Sequence, residues 1–162
     1  GAILARRKIP IRPGTTAIEL SDQLAHLGAK TLTEVLPAYL RGTLAAVPQD
    51  DSKKSLAPKL TKQDSHLDFI LPAQTLLNQI NAYQPWPGAL YEWNGKRLKI
   101  IEAHVHPTFE CDPSGRFVMN GNPAICTSNG LLVLDVVQPE GKKPMPGKAF
   151  LNGQPDWLEN KE

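Results

Sequence analysis

The chain of 162 residues has 41% hydrophobic and 21% charged residues, the composition of a folded globular protein rather than of a disordered chain. It contains no apolar run long enough to span a bilayer, and its first basic residues follow a short apolar stretch instead of preceding one as in a secretory signal. We therefore expect a cytoplasmic protein with no membrane partner. Because the net charge is only +2, any anionic partner must be bound by local basic patches.

The first 42 residues are expected to form one unit. The stretch GAILARRKIPI has a strand-like start, and the spacing of Thr16 and Glu19 is that of a capping box, which predicts a helix beginning there. Apolar residues then recur at helical spacing. Gly42 predicts the end of this helix, while Pro37 predicts a bend or an earlier end.

A single strand and a helix with a long apolar stripe cannot bury that stripe against each other. Such a pair normally packs on a parallel sheet that further strand and helix units supply. Residues 1–42 are therefore interpreted as the terminal strand and helix of an α/β domain whose earlier part lies outside this chain. If this piece is exposed, its apolar stripe is the one feature that predicts association with another copy, and the protein is otherwise expected to be monomeric.

Residues 43–68 have few large apolar side chains, two prolines and many charges, which is typical of an irregular linker. Pro72 is then favourably placed to open a short amphipathic helix, AQTLLNQINA. The sequence QPWPG at 84–88 predicts an abrupt end to that helix.

The chain has a β pattern from Ala89 onward. The alternating stretch ALYEWNGKRLKIIEAHV is folded about Asn94-Gly95, a dipeptide suited to a tight hairpin turn. The segments RFVM, PAICTS and LLVLDVVQ add further short strands, which favours a small closed barrel. We therefore expect residues 69–162 to form a barrel of five to six strands with one short helix.

The histidines and cysteines offer no site that outweighs a structural role. His104 and His106 alternate along one strand, but the sequence provides no further ligand at a spacing known for zinc, so no metal is expected. Cys111 and Cys126 are too few for a disulfide framework and lack a CxxC spacing, so both are expected to be reduced and structural. A nucleophilic role for Cys126 beside a histidine is disfavoured by its strand-like surroundings.

The acidic and aromatic residues are equally inconclusive. No carboxylate has a neighbour that would adapt it to acid–base catalysis. Tyr91 and Trp93 share one face of a strand, where they form either a stacking platform for unpaired bases or part of the core, and the core is the favoured interpretation.

The basic residues give the strongest functional signal because they cluster. They form three groups: Lys53, Lys54, Lys59 and Lys62 in the linker; Arg97 and Lys99 on the hairpin, on the face opposite Leu98 and Ile100; and Lys142, Lys143 and Lys148 after the last long strand. Clustered cations of this kind attract a phosphate backbone. Residues 43–162 carry 12 Lys and Arg against 13 Asp and Glu, a difference of −1, which favours a limited, shaped contact over general nucleic-acid binding.

Several blocks, in order, resemble the methionyl-tRNA formyltransferase family over nearly the whole chain: TAIELSDQLAHLGAKTL, VPQDD, APKLTK, QPWPG and LDVVQPEGKKPMPGKAFLNG. The resemblance implies that residues 1–42 are the end of a Rossmann-like catalytic domain. It also implies that residues 43–68 are a linker and that residues 69–162 are a C-terminal domain resembling an oligonucleotide-binding (OB) fold.

The resemblance further implies an enzyme that transfers a formyl group from 10-formyltetrahydrofolate to methionine carried on initiator tRNA. The family's catalytic residues are implied to lie upstream of Gly1, so this chain is expected to bind tRNA without catalysing transfer and without holding the folate. The residues implied to contact initiator methionyl-tRNA are Lys59, Lys62, Arg97, Lys99, Lys142 and Lys143.

Two alternatives remain open at this stage. One is an independent OB-fold module that binds single-stranded nucleic acid, which would use Trp93 for stacking. The other keeps the formyltransferase chemistry but changes the acceptor, as in relatives that act on sugar nucleotides or hydrolyse the formylated folate.

Overall fold

A computed structural model describes residues 1–107 and 111–158 of the chain. These residues form two compact units, of which the first is Gly1–Lys59 and the second begins at Leu60. No helix in the described ranges is both long enough and apolar enough to cross a membrane.

The main element of the first unit is the helix α1, Ala17–Leu40. Its start is fixed by a capping box: the backbone N–H of Glu19 donates to Thr16 Oγ1 (3.3 Å), and the Glu19 carboxylate accepts from the backbone N–H of Thr16 (2.9 Å). The hydrogen bonds from the Thr16 backbone and hydroxyl lower the pKa of Glu19. The predicted helix start is confirmed.

The helix does not end early at Pro37, so that one of the two expected outcomes is wrong. Pro37 lies inside α1, and its carbonyl oxygen accepts the N–H of Arg41 at 3.2 Å. A proline lacks only its own donor, so a last turn can still form around its carbonyl oxygen. Gly42, with φ of +71°, follows the helix as predicted.

The expected strand at residues 1–11 is reduced to one antiparallel bridge, between Ile3 and Val47. Each backbone N–H of this pair donates to the other residue's carbonyl oxygen, at 2.8 and 2.9 Å. Pro48 follows and has no N–H with which to extend the ladder.

The second unit contains an antiparallel sheet of six strands and two helices. The strands are β1 Ala89–Trp93, β2 Lys96–His106, β3 Arg116–Met119, β4 Asn122–Cys126, β5 Leu131–Pro139 and β6 Met145–Pro146. The helices are α2 Ala73–Ala82 and α3 Gly147–Asn152, and single 3-10 turns occupy Gln63–Ser65 and Pro155–Leu158. A further 3-10 turn, Asp51–Lys53, belongs to the first unit. The predicted hairpin is confirmed, because Asn94 and Gly95 have φ of 48° and 71° between β1 and β2.

The described strands pair in the order β1-β2-β5-β4-β3, with β6 on β5. The sheet is thus open: among these strands no pair joins β1 to β3, in contrast to the closed barrel that the sequence predicted. The arrangement is consistent with a barrel-like domain, since apolar side chains from β1, β2, β4, β5 and α2 form one core. A Rossmann-like arrangement is not seen in the first unit.

Trp157 contacts both strands at the open edges of this sheet. Its ring centroid lies 5.3 Å from that of Trp93 and 6.0 Å from that of Tyr91, both on β1. On the β3 side, its Nε1–H donates to the carbonyl oxygen of Phe117 at 2.8 Å, and Arg116 Nε donates to the carbonyl oxygen of Trp157. A 3-10 turn therefore joins the two edges where a barrel would have a strand pair.

Replacing Trp157 with Ala should lower the free energy of unfolding of the second unit by about 3–5 kcal/mol, because a fully buried indole and its edge-to-face contacts are lost. Trp157→Phe keeps a ring but loses the hydrogen bond to Phe117, and should cost less. Urea denaturation followed by circular dichroism measures both changes. A loss below about 1 kcal/mol for Trp157→Ala would show that the edges are held by other contacts.

Cys111 and Cys126 form a disulfide, so the expectation that both are reduced was wrong. The reason it was missed is that cysteine spacing alone does not reveal pairing: the residues are 15 positions apart and meet only because the chain after β2 returns to β4.

Reduction of this disulfide should lower the free energy of unfolding by about 3 kcal/mol, the value expected for a loop of roughly this length. Denaturation with and without dithiothreitol gives the difference, and Cys111→Ser should reproduce the reduced value. Two titratable thiols in the untreated folded protein would contradict the pairing.

Candidate nucleic-acid interface

The outward face of the β1–β2 hairpin carries the first group of predicted cations. Leu98 and Ile100 are fully buried, so the alternation of β2 directs Arg97 and Lys99 to the opposite face, as predicted. Lys99 lies opposite Gln138 of β5 in the strand register. The face therefore continues from β2 onto β5 and toward the loop that follows it.

The loop after β5, residues 140–144, is called the lysine loop and is held against the same hairpin by backbone hydrogen bonds. The N–H of Glu140 donates to the carbonyl oxygen of Arg97 (3.3 Å), and the N–H of Lys142 closes a turn on Pro139 (3.0 Å). Gln138 Nε2 also donates to the carbonyl oxygen of Lys142 at 2.8 Å. These bonds fix where the loop leaves the sheet, and with it the position of Lys142.

A shallow groove of about 260 Å³ brings cations from both elements together. Three of the residues that line it are basic, namely Lys96, Arg97 and Lys142. The floor includes Trp93, whose ring lies 5.7 Å from Lys96 Nζ, and Phe150. We call this the basic groove.

Two of the three cations in the basic groove have acidic partners. Lys96 Nζ lies 2.7 Å from Asp156 Oδ2, and Arg97 Nε lies 2.8 Å from Glu92 Oε1. Within the described residues no ion pair involves Lys142, nor its neighbour Lys143, nor Lys99 on the sheet. The charges free to meet an anion are therefore those of the loop and of Lys99.

The geometry of this face can be compared with known proteins. Residues 59–155 match the family model described as "Formyl transferase, C-terminal domain". The chain belongs to this family. The match covers the basic groove, the lysine loop and the whole sheet of the second unit.

Methionyl-tRNA formyltransferases are among the curated proteins that this chain resembles. Methionyl-tRNA formyltransferases of Roseiflexus sp. and Chloroflexus aggregans are 39% and 38% identical to it, and each alignment covers 94% of this chain. The same alignments cover 48% and 50% of the relatives. The chain thus spans about half the length of the curated relatives that it matches, and the resemblance inferred from the sequence is confirmed.

Solved structures extend the similarity of fold. HypX from Aquifex aeolicus, in complex with tetrahydrofolic acid, superposes with a TM-score of 0.70 at 19% identity, covering 99% of this chain and 28% of that one. A variant of HypX gives 0.71 at 20% identity. At this level of identity the likeness concerns the fold alone.

The structure brings three of the six predicted contact residues to one side of the sheet in the second unit. Arg97 and Lys142 share the basic groove, and Lys99 lies on the same face of β2 as Arg97. Lys143 is exposed next to Lys142. Lys62 precedes the turn Gln63–Ser65, and Lys59 is the last residue of the first unit, so their inclusion in the contact stays a prediction.

Sequence reasoning missed Lys96. It follows the Asn94-Gly95 turn directly, and the hairpin register pairs it with Trp93. The adjacent Arg97 was recognised by alternation, whereas the position of Lys96 over an aromatic ring and beside Asp156 depends on the 3-10 turn near the chain's end, which no local pattern predicts.

The two aromatic residues weighed as a stacking platform belong to the core. Tyr91 and Trp93 are 6% and 5% exposed. Burial raises the pKa of the Tyr91 phenol. They cannot stack on bases without unfolding β1, which removes the main support for an independent module that binds single strands through Trp93.

His104 is exposed, as the sequence suggested, and forms a polar contact across the sheet, whereas His106 is partly buried. His104 Nδ1 lies 2.7 Å from Asp135 Oδ2, and Asn122 Nδ2 donates to the other carboxylate oxygen at 3.2 Å. His106 is partly buried, and its Nδ1 has no hydrogen-bond partner in the described ranges. No group of three potential metal ligands occurs among the described residues.

Gly147 allows the segment after the lysine loop to pack closely on β5. A Cβ at this position would overlap the carbonyl oxygen of Leu134 and approach Pro123 Cδ to 2.8 Å. Gly147→Ala should therefore destabilise the second unit by about 1–3 kcal/mol, as overpacking does.

Gly153→Ala is the matched control for this variant, because Gly153 has ordinary φ of −103° and its nearest neighbour is 3.8 Å away. Thermal denaturation of the two variants gives the comparison. Equal stability would mean that α3 does not depend on the close approach to β5.

Proposed function

We propose that this chain is the tRNA-binding part of a methionyl-tRNA formyltransferase. The observation that carries the proposal is a group of lysines without ion pairs among the described residues, namely Lys99, Lys142 and Lys143, which we call the basic face. It lies inside a region that matches the formyl transferase C-terminal domain. The partner is initiator methionyl-tRNA. The residues assigned to its phosphates are Lys59, Lys62, Arg97, Lys99, Lys142 and Lys143.

The whole enzyme transfers a formyl group from 10-formyltetrahydrofolate to the amino group of methionine on that tRNA, in the cytoplasm. Formyl transfer needs a base for the attacking amine and donors for the oxyanion of the tetrahedral intermediate. We assign neither role to a residue of this chain. We further assign residues 1–42 to the end of a Rossmann-like catalytic domain, 43–68 to a linker and 69–162 to the OB-like tRNA-binding domain.

The residues of the basic face are better suited to binding nucleic-acid phosphates than to binding a small acceptor such as a sugar nucleotide. The basic groove is shallow and carries three cations from two elements, with ion pairs on only two of them. Basic side chains spread over a surface in this way bind the phosphates of a nucleic-acid backbone and position it without recognising its base sequence. A sugar nucleotide would instead call for an enclosed cleft with polar groups directed at its ring and base.

The double variant Lys142→Ala plus Lys143→Ala should bind initiator tRNA more weakly than the unmodified chain. Each lysine that neutralises a phosphate contributes about one unit to the slope of log affinity against log salt, so the slope should decrease by up to about 2. Filter binding or fluorescence anisotropy at several potassium chloride concentrations measures the slope.

Lys8→Ala plus Lys30→Ala removes the same charge from exposed positions of the first unit and should leave the slope within about half a unit. Lys142→Arg plus Lys143→Arg keeps the charge, so its salt slope should equal that of the unmodified chain. Identical slopes for the alanine double variant and the unmodified chain would refute the role of the loop, and no detectable tRNA binding by the unmodified chain at low salt would refute the proposed function.

A further inference from the structure

Trp86 differs from the other two tryptophans of the chain because its ring is accessible to solvent. It is 49% exposed, whereas Trp93 is 5% and Trp157 is 1% exposed. It lies in the corner QPWPG, between α2 and β1. An exposed indole of this kind has no role in the core of the second unit.

The corner holds Trp86 in a defined position. Pro85 and Pro87 flank it and restrict the backbone on both sides. The N–H of Gly88 donates to the carbonyl oxygen of Tyr83 at 2.8 Å, and Gln84 Nε2 donates to the carbonyl oxygen of Ile101 on β2. An aromatic ring presented by such a rigid segment loses little conformational entropy on binding.

The same corner carries a cation from the basic face. The side chain of Lys99 crosses Gly88, with its Cε only 2.9 Å from where a Cβ of residue 88 would lie. Gly88 has φ of +86° and is buried. Glycine fits here for two reasons: the positive φ is unfavourable for other residues, and a side chain would overlap that of Lys99. Lys99 has no ion-pair partner in the described part of the chain. Its ammonium lies beside Gly88, which follows Trp86 by two positions in the same corner.

We propose that Trp86 and Lys99 form a nucleotide contact, in which the indole stacks on an unpaired base and the ammonium binds the phosphate of the same RNA strand. The inference rests on the proposed function and deepens it, because it names which part of the tRNA this corner meets. Base–aromatic stacking accepts any base, while the lysine supplies charge for the backbone. The contact is therefore directed at a loop or end of the tRNA and not at a paired stem.

Charge decides in favour of RNA over an apolar protein partner. A protein surface that covered Trp86 would also cover Lys99 and bury an ammonium without a partner, which is costly. A nucleotide offers both an aromatic ring for the indole and an anion for the ammonium.

Intrinsic fluorescence of the full chain tests the contact, since Trp86 is 49% exposed whereas Trp93 and Trp157 are almost fully buried. Titration with unmodified initiator tRNA transcript should quench the tryptophan emission. A blunt RNA duplex without unpaired bases should not quench it when the same fraction of the protein is bound. Trp86→Phe should abolish the quench while reducing affinity less than threefold. Trp86→Ala should weaken binding roughly tenfold, within the range known for loss of one stacked base.

Val118→Ala is the matched control, because Val118 is another apolar side chain of the second unit that is 45% exposed, and it should change neither quench nor affinity. The contact is overturned if tRNA binds with the salt dependence of the basic face but Trp86→Ala binds equally well, or if the duplex quenches as strongly as the tRNA. That result leaves the proposed function standing. Absence of tRNA binding to the unmodified chain would overturn both.

Discussion

The arrangement of the second unit depends on how Trp157 fills the gap between the two edge strands of its open sheet. An open antiparallel sheet exposes unpaired backbone groups and the ends of its core unless something covers them. Here one indole supplies aromatic contacts to Tyr91 and Trp93 and a hydrogen bond to Phe117. The same 3-10 turn contributes Asp156, whose ion pair with Lys96 joins it to the start of β2.

The position of the basic face follows from this packing. The pairing of β2 with β5 keeps the outward residues of the β1–β2 hairpin beside β5 and the loop that follows, while Trp157 and Phe150 pack on Trp93 from inside. Backbone hydrogen bonds then hold Glu140 and Lys142 against the hairpin. The cations of the face are distant in sequence, yet they meet because strand pairing and loop hydrogen bonds hold the elements that carry them.

The sequence predicted the features that depend on neighbours in the chain. The start of α1 follows from Thr16 and Glu19 alone, and the hairpin follows from Asn94-Gly95. The disulfide and the contact between Lys142 and the hairpin depend on residues brought together only by the complete sheet, and local patterns do not contain that information. The barrel was predicted only in part for the same reason: the number of strands follows from the sequence, but strand counting does not show that β1 and β3 are left unpaired with each other and both contact Trp157.

Protection of lysines from acetylation, measured by mass spectrometry with and without bound initiator tRNA, tests most directly whether the basic face is the binding surface. The account predicts that Lys99, Lys142 and Lys143 become protected together and that their protection disappears together as salt is raised. Equal acetylation of these three lysines in the free and bound chain would contradict it.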